Sequence, residues 1–97
     1  MLIKHLRDDF HQPYATVVSV NENQIGIAIC SPKDSFNRKR GRNIAFNRAL
    51  IKNPPEFEED LPNRHILKNG EYKSIGEVIL SEIENMKIRS QKYYWKD

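Results

Sequence analysis

The sequence predicts an α+β fold: a small antiparallel sheet in the N-terminal half, a hairpin or three-stranded meander, packed by two helices. Three observations carry that reading. Two β-rich runs, YATVVSV and IGIAIC, are separated only by NENQ. A long run beginning at Ile75 repeats apolar residues at helical spacing. Directly before it, Ser74 and Glu77 stand in the Ser-x-x-Glu arrangement of a capping box.

The first element is MLIKHLRD, in which Leu2 and Leu6 are spaced for one face of a sheet. DFHQP then supplies turn formers and a proline. YATVVSV is rich in β-branched residues, which suit a strand. In IGIAIC the alternation is strict: Ile25, Ile27 and Ile29 point one way, Gly26, Ala28 and Cys30 the other. These two runs read as a hairpin with Glu22-Asn23 at its tip, where asparagine accepts the positive φ of a tight turn.

After Cys30 the pattern becomes helical. Ser31 suits an N-cap, Pro32 a first helical position, and Asp34 a reciprocal cap. Gly41 costs about 1 kcal/mol relative to alanine inside a helix. The expectation is therefore a short helical turn, then a helix from about Lys39 to Ile51. On it Gly41, Ile44, Ala45, Arg48 and Ala49 share a mostly small face suited to close packing on the sheet. Pro54 and Pro55 end it. RHILK reads as a short strand or turn, and Asn69-Gly70 as a turn. The last helix runs from about Ile75 to Tyr93, with Val78, Ile79, Ile83 and Met86 on its apolar face. Glutamates early and Lys87, Arg89 and Lys92 late complement its dipole. Both helices are expected on one face of the sheet.

With 97 residues the chain is read as one domain, residues 1–97, with one modest core. Hydrophobic residues make up 38% and charged residues 30%, so the stability margin is expected to be thin and self-association would widen it. Cys30 is the only cysteine and cannot staple the fold, which points to a reducing cytosol. The N-terminus lacks the apolar core of a signal peptide, and no segment approaches the ~20 apolar residues of a membrane span. A cytoplasmic location is expected, with no membrane partner.

The net charge of +3 is mild, but its distribution is uneven. Lys33, Arg38, Lys39, Arg40, Arg42, Arg48 and Lys52 cluster against a single acid, Asp34. EFEED, residues 56–60, places four acids in five positions. The basic cluster suits an anion site, because arginine presents a planar fork of donors and a helix start adds backbone N–H groups. Lys33, Arg38, Lys39, Arg40, Arg42 and Arg48 are thus the candidate anion- or nucleic-acid-binding residues. The same pattern also fits a solvated helix face, with Arg38 and Arg42 paired to EFEED. Phe36 and Phe46 lie within the cluster and read as core residues rather than stacking platforms.

A second candidate surface is KYYWK, where Tyr93, Tyr94 and Trp95 suit a partner interface or a helix end folded back on the core. The acidic PPEFEEDLP loop could dock on a basic partner or serve as an ordinary connection. His5, His11 and His65 have no metal-ligand spacing, Cys30 sits on a strand, and Asp34 beside Ser35 lacks a histidine in reach. The expectation is a non-enzyme with no cofactor and no metal.

The stretch GIAICSPKDSFNRKRGRNIAFNRAL resembles small uncharacterised proteins of tailed bacteriophages. The shared look is a strand, then Lys33, Asp34, Phe36 and Lys39, then Gly41, Arg42, Ile44, Ala45, Arg48 and Ala49. The likeness covers about residues 14 to 50, with a looser echo in EIENMKIRSQKYY. The resemblance carries no catalytic residues. It implies a cytoplasmic phage accessory protein, in the host cell, that acts by binding nucleic acid, a host protein or a host signalling nucleotide.

Overall fold

The computed structural model describes residues 1–30, 35–51 and 64–95. Three antiparallel strands form the main sheet in the order β1 (Leu2–Arg7), β2 (Pro13–Ser19), β3 (Ile25–Ile29). Helix α1 spans Arg38–Leu50. A second, two-stranded sheet pairs β4 (His65–Lys68) with β5 (Glu71–Ser74), and helix α2 covers Ile75–Tyr94. The α+β fold, the meander and the two helices are as the sequence predicts.

The placement of the helices is not. They lie on opposite faces of the sheet, and the reason is the two-residue period of β2. Ala15 and Val17 join Leu2, Leu6 and Ile27 in one cluster with the α2 residues Ile75, Val78, Ile79, Ile83 and Met86. Val18 joins Ala28 and Ala45 in a second cluster under α1. β2 is buried along both faces, with Thr16 and Ser19 at 0% exposure. A strand apolar on alternate residues could serve one layer; this one serves two.

The face under α1 is built from small groups. A Cβ on Gly26 would stand 2.0 Å from the Ala45 carbonyl oxygen and 2.4 Å from the Ala49 nitrogen. The helix backbone therefore rests directly on the strand backbone. Arg48 adds a hydrogen bond from Nη1 to the Ile27 carbonyl, 2.8 Å, which occupies one outward group of the β3 edge.

The other face holds the larger core. Lys4, on the same face as Leu2 and Leu6, reaches Glu82 of α2 at 2.9 Å. Fully buried Ser90 donates to Ser19 Oγ at 2.5 Å, and Tyr94 OH donates to the Ser19 carbonyl at 2.8 Å. These bonds register the C-terminal end of α2 on the sheet. Tyr14 OH has no hydrogen-bond partner among the described residues, and burial, with Glu82 and Asp8 adding to it, pushes its pKa up to about 12.

The β4–β5 hairpin closes the far end. Asn69 and Gly70 take φ values of 55° and 80°, the paired positive values of a tight primed hairpin turn. The Asp9 carboxylate accepts from both of their N–H groups at 2.8 Å, and Asp9 N–H donates to the Leu67 carbonyl. Ser74 caps α2 by accepting from the Glu77 N–H, as its sequence predicts. The β2–β3 loop runs from Val20 to Gln24 and is closed by Val20 N–H on the Gln24 carbonyl at 3.1 Å. It contains no positive φ, so the expected use of Asn23 in a left-handed position is corrected. Hydrogen bonds between Asn21 and Gln24 and from Asn23 N–H to Asn21 hold the turn instead.

Candidate functional site

The basic segment begins at an N-cap the sequence reading did not choose. Asn37 opens α1: its backbone is extended and its side chain accepts from the Arg40 N–H at 3.0 Å. The expected helical turn at Ser31–Asp34, and Lys33 with it, lie outside the described residues. So does EFEED, and with it the expected pairing to Arg38 and Arg42.

Arg38, Lys39, Arg40 and Arg42 all stand exposed in the first two turns of α1. Helical spacing spreads them around the axis. Gly41 faces the sheet, where a Cβ would meet Thr16 Oγ1 at 2.8 Å. Arg38 and Arg42 flank it on the β1 side, Arg40 flanks it on the other, and Lys39 points outward. Arg48 is apart from this group, near the other end of the helix and tied to Ile27.

This arrangement carries electrostatic costs. Helix α1 contains five cations and no acid, and its first turn has none of the carboxylates that complement a dipole. Arg38 and Arg42 are an i,i+4 like-charge pair, worth about 0.2–0.5 kcal/mol of destabilisation. Among the described residues no ion pair involves any of the five. Apart from Arg48, which bonds the Ile27 carbonyl, none of these cations takes part in the packing of α1 among the described residues, which uses Ala45 and Ala49.

Beneath the helix start, one row of residues crosses the sheet: His5 of β1 opposite Thr16 of β2, opposite Ala28 of β3. His5 Nδ1 and Thr16 Oγ1 are 2.9 Å apart. Phe36 packs edge to face with the His5 ring, centroids 5.6 Å apart and planes at 86°. His5 titrates below its ordinary 6.5; burial is the main cause, followed by Arg38, Arg7 and Arg42. It therefore senses the positive field of the helix start.

A half-open cavity of about 110 Å³ lies against this row. Buried Thr16 and Ala28 line it together with the half-buried Phe36 and Ile44 and the exposed Asn37 and Arg40. Cys30 also borders it; it is half-buried rather than buried.

The sequence found the cations but not the supporting row. Nothing local marks His5, eleven residues before its partner Thr16. Only the register of β1 on β2 brings it under Arg38. The reading of both phenylalanines as core is corrected: Phe36 is half-buried at the cavity, and Phe46 is exposed on α1. Ala45 and Ala49, one and three positions away, take the core positions instead.

The tyrosine–tryptophan end is a separate surface on the opposite face. Tyr94 folds back onto Ser19 and packs against the α2 core, with Tyr93 edge-on at 4.9 Å. Tyr93 stays exposed, and Trp95 is 80% exposed. No helix among the described residues is long and apolar enough to cross a membrane, and no three potential ligands among them gather as a metal set. Comparison with protein-family models, curated proteins and solved structures finds no match to this chain.

Proposed function

We propose that this chain is a non-catalytic accessory protein that binds an anionic ligand, nucleic acid or a nucleotide, at the start of α1. The observation that carries the reading is a run of charge with no ion-pair partner among the described residues. Arg38, Lys39, Arg40 and Arg42 crowd the positive end of a helix dipole, without an acid in the first turn. No ion pair among the described residues offsets that repulsion, and a phosphate-bearing ligand would relieve it. Arginine forks and exposed side chains supply phosphate hydrogen bonds. Arg48 belongs to the sheet edge in this reading, so the binding set is Arg38, Lys39, Arg40 and Arg42, with Lys33 as the sequence-based addition. The phage setting and the cytoplasmic location rest on the resemblance of residues 14–50 and on the lone cysteine.

The test is a triple charge reversal, Arg38→Glu, Arg40→Glu and Arg42→Glu, with the fold checked by circular dichroism and thermal melting. Binding of a labelled oligonucleotide at low salt should fall by at least a hundredfold while the fold persists. Unchanged binding by a folded triple variant sinks the proposal.

A second reading, a module that grips a host protein, is favoured by one observation: Trp95 is largely exposed beside Tyr93. An aromatic pair of this kind suits the centre of a protein interface. Nuclease-treated pull-down with the native chain and with Trp95→Ala separates the two, since a retained partner that Trp95→Ala releases supports the interface. Self-association through the same surface would show as a concentration-dependent mass.

A further inference from the structure

Two features meet at the start of α1 that a phosphate site alone does not need. The first is the cavity of about 110 Å³. The second is the apolar part of its lining, Phe36 and Ile44 with the small residue Ala28, set beside the polar Thr16, Ser35 and Asn37. A phosphate is recognised by N–H and cationic donors, and its oxygens gain nothing from apolar walls. A planar ring does, because its faces are apolar and only its edge carries hydrogen-bonding groups.

We infer that this cavity takes a single nucleobase, so that the ligand of the basic helix start is a nucleotide with its phosphate on the adjoining arginines. The inference rests on the reading of that helix start as an anion site. Size limits the occupant. The space is well below the ~300 Å³ at which pockets begin to enclose drug-sized molecules whole. It accepts one ring system and leaves the sugar and phosphate outside. Position sets the polarity. Arg40 lines the cavity, so an anionic group leaving it meets a cation at once, with Arg38 and Arg42 following across Gly41.

The walls are also held in place. His5 packs edge to face with Phe36 and is itself bonded to Thr16, so the aromatic wall is fixed before a ligand arrives. Gly41 lets the helix approach Thr16 closely, which brings Ile44 to the cavity. A base inside a duplex cannot enter such a space, because its faces are covered by its neighbours. The ligand is therefore a free mononucleotide or an unpaired nucleotide of a single strand. Both present the same chemistry.

Methyl and amide NMR of the full chain tests this at low salt. The probes are a nucleoside monophosphate, ribose 5-phosphate, inorganic phosphate, a short oligothymidylate and a short duplex. The monophosphate should shift the Ala28 and Ile44 methyls saturably, while ribose 5-phosphate moves only amides of the first turn of α1. Stacking one base corresponds to roughly a fivefold to hundredfold affinity advantage for the nucleotide over ribose 5-phosphate. Phe36→Ala should remove most of that advantage and leave ribose 5-phosphate binding and the Val18 methyl unchanged. Tighter saturation by the oligothymidylate identifies a strand as the source; response to the monophosphate alone identifies a free nucleotide. Both outcomes support the cavity assignment. If nucleotide and ribose 5-phosphate give identical shifts confined to α1 amides, the base site is wrong and the anion site stands. A duplex that moves the Ala28 and Ile44 methyls as strongly as the single strand also overturns it. Silence from every probe at low salt removes both.

Discussion

Gly26→Ala tests the seating of α1, on which the geometry of the whole site depends. The added methyl would sit 2.0 Å from the Ala45 carbonyl oxygen and 2.4 Å from the Ala49 nitrogen. Both are backbone atoms, so no side chain can rotate away. Ordinary contact begins at 3.4 Å, so the helix must retreat by about 1.4 Å over Gly26. A gap of that size forfeits much of the dispersion between Ala45, Ala49, Val18 and Ala28. Overpacking of a tight core costs about 1–3 kcal/mol, and two backbone clashes place this case near 3. A domain of this size has roughly 5–15 kcal/mol in total. At ~4–8 °C per kcal/mol, the melting temperature should fall by about 12–24 °C. Urea and thermal unfolding of the variant measure it directly. A Gly26→Ala protein within about 0.5 kcal/mol of the parent would refute the backbone-on-backbone seating.

Three further outcomes follow from named contacts. Arg48→Ala should lower stability by about 1 kcal/mol, through loss of a charge-assisted bond to the Ile27 carbonyl, and leave the salt dependence of ligand binding unchanged; a flattened salt slope would return Arg48 to the binding set. The Asp9 carboxyl is held below its ordinary 3.8, first by the Gly70 N–H and next by that of Asn69. A depressed carboxyl contributes its full stability above 3.8 and loses it as pH falls below that value through the folded one. Urea midpoints between neutral and strongly acid pH should show this loss in the parent and a smaller one in Asp9→Asn; equal profiles would assign the acid sensitivity elsewhere. The His5 ring, followed by NMR, should titrate below 6.5 in the unliganded protein and move upward when a polyanion cancels the field of Arg38 and Arg42. By linkage, binding then strengthens as pH falls through the His5 range, and an unmoved His5 titration would place the anion away from these arginines.

Much of the fold was legible because its signals are local. The alternation in Ile25–Cys30 marks a strand, and Ser74 with Glu77 marks the start of α2. The small face of α1 was also readable, and Gly26 and Ala45 give it its meaning. What was not legible depends on pairings across the chain. That β2 serves two layers follows from Val18 packing under α1 while Val17 packs under α2, and no run of seven β-prone residues announces it. The hairpin partner of β4 was missed because Glu71–Ser74 is polar and short. At the site, the arginines stood out as a charge run, whereas His5 and Thr16 become site residues only through the register of β1 on β2.

The most direct test of the central claim is the salt dependence of oligonucleotide binding, read by fluorescence polarisation with labelled single- and double-stranded probes. Four phosphate contacts, from Arg38, Lys39, Arg40 and Arg42, give a slope of log K on log salt of roughly −3 for a single strand. Affinity should then fall by about 50-fold between 50 and 200 mM salt. The single strand should bind more tightly than the duplex. No binding at low salt, or binding with a flat salt profile, would contradict a function built on the charge of α1.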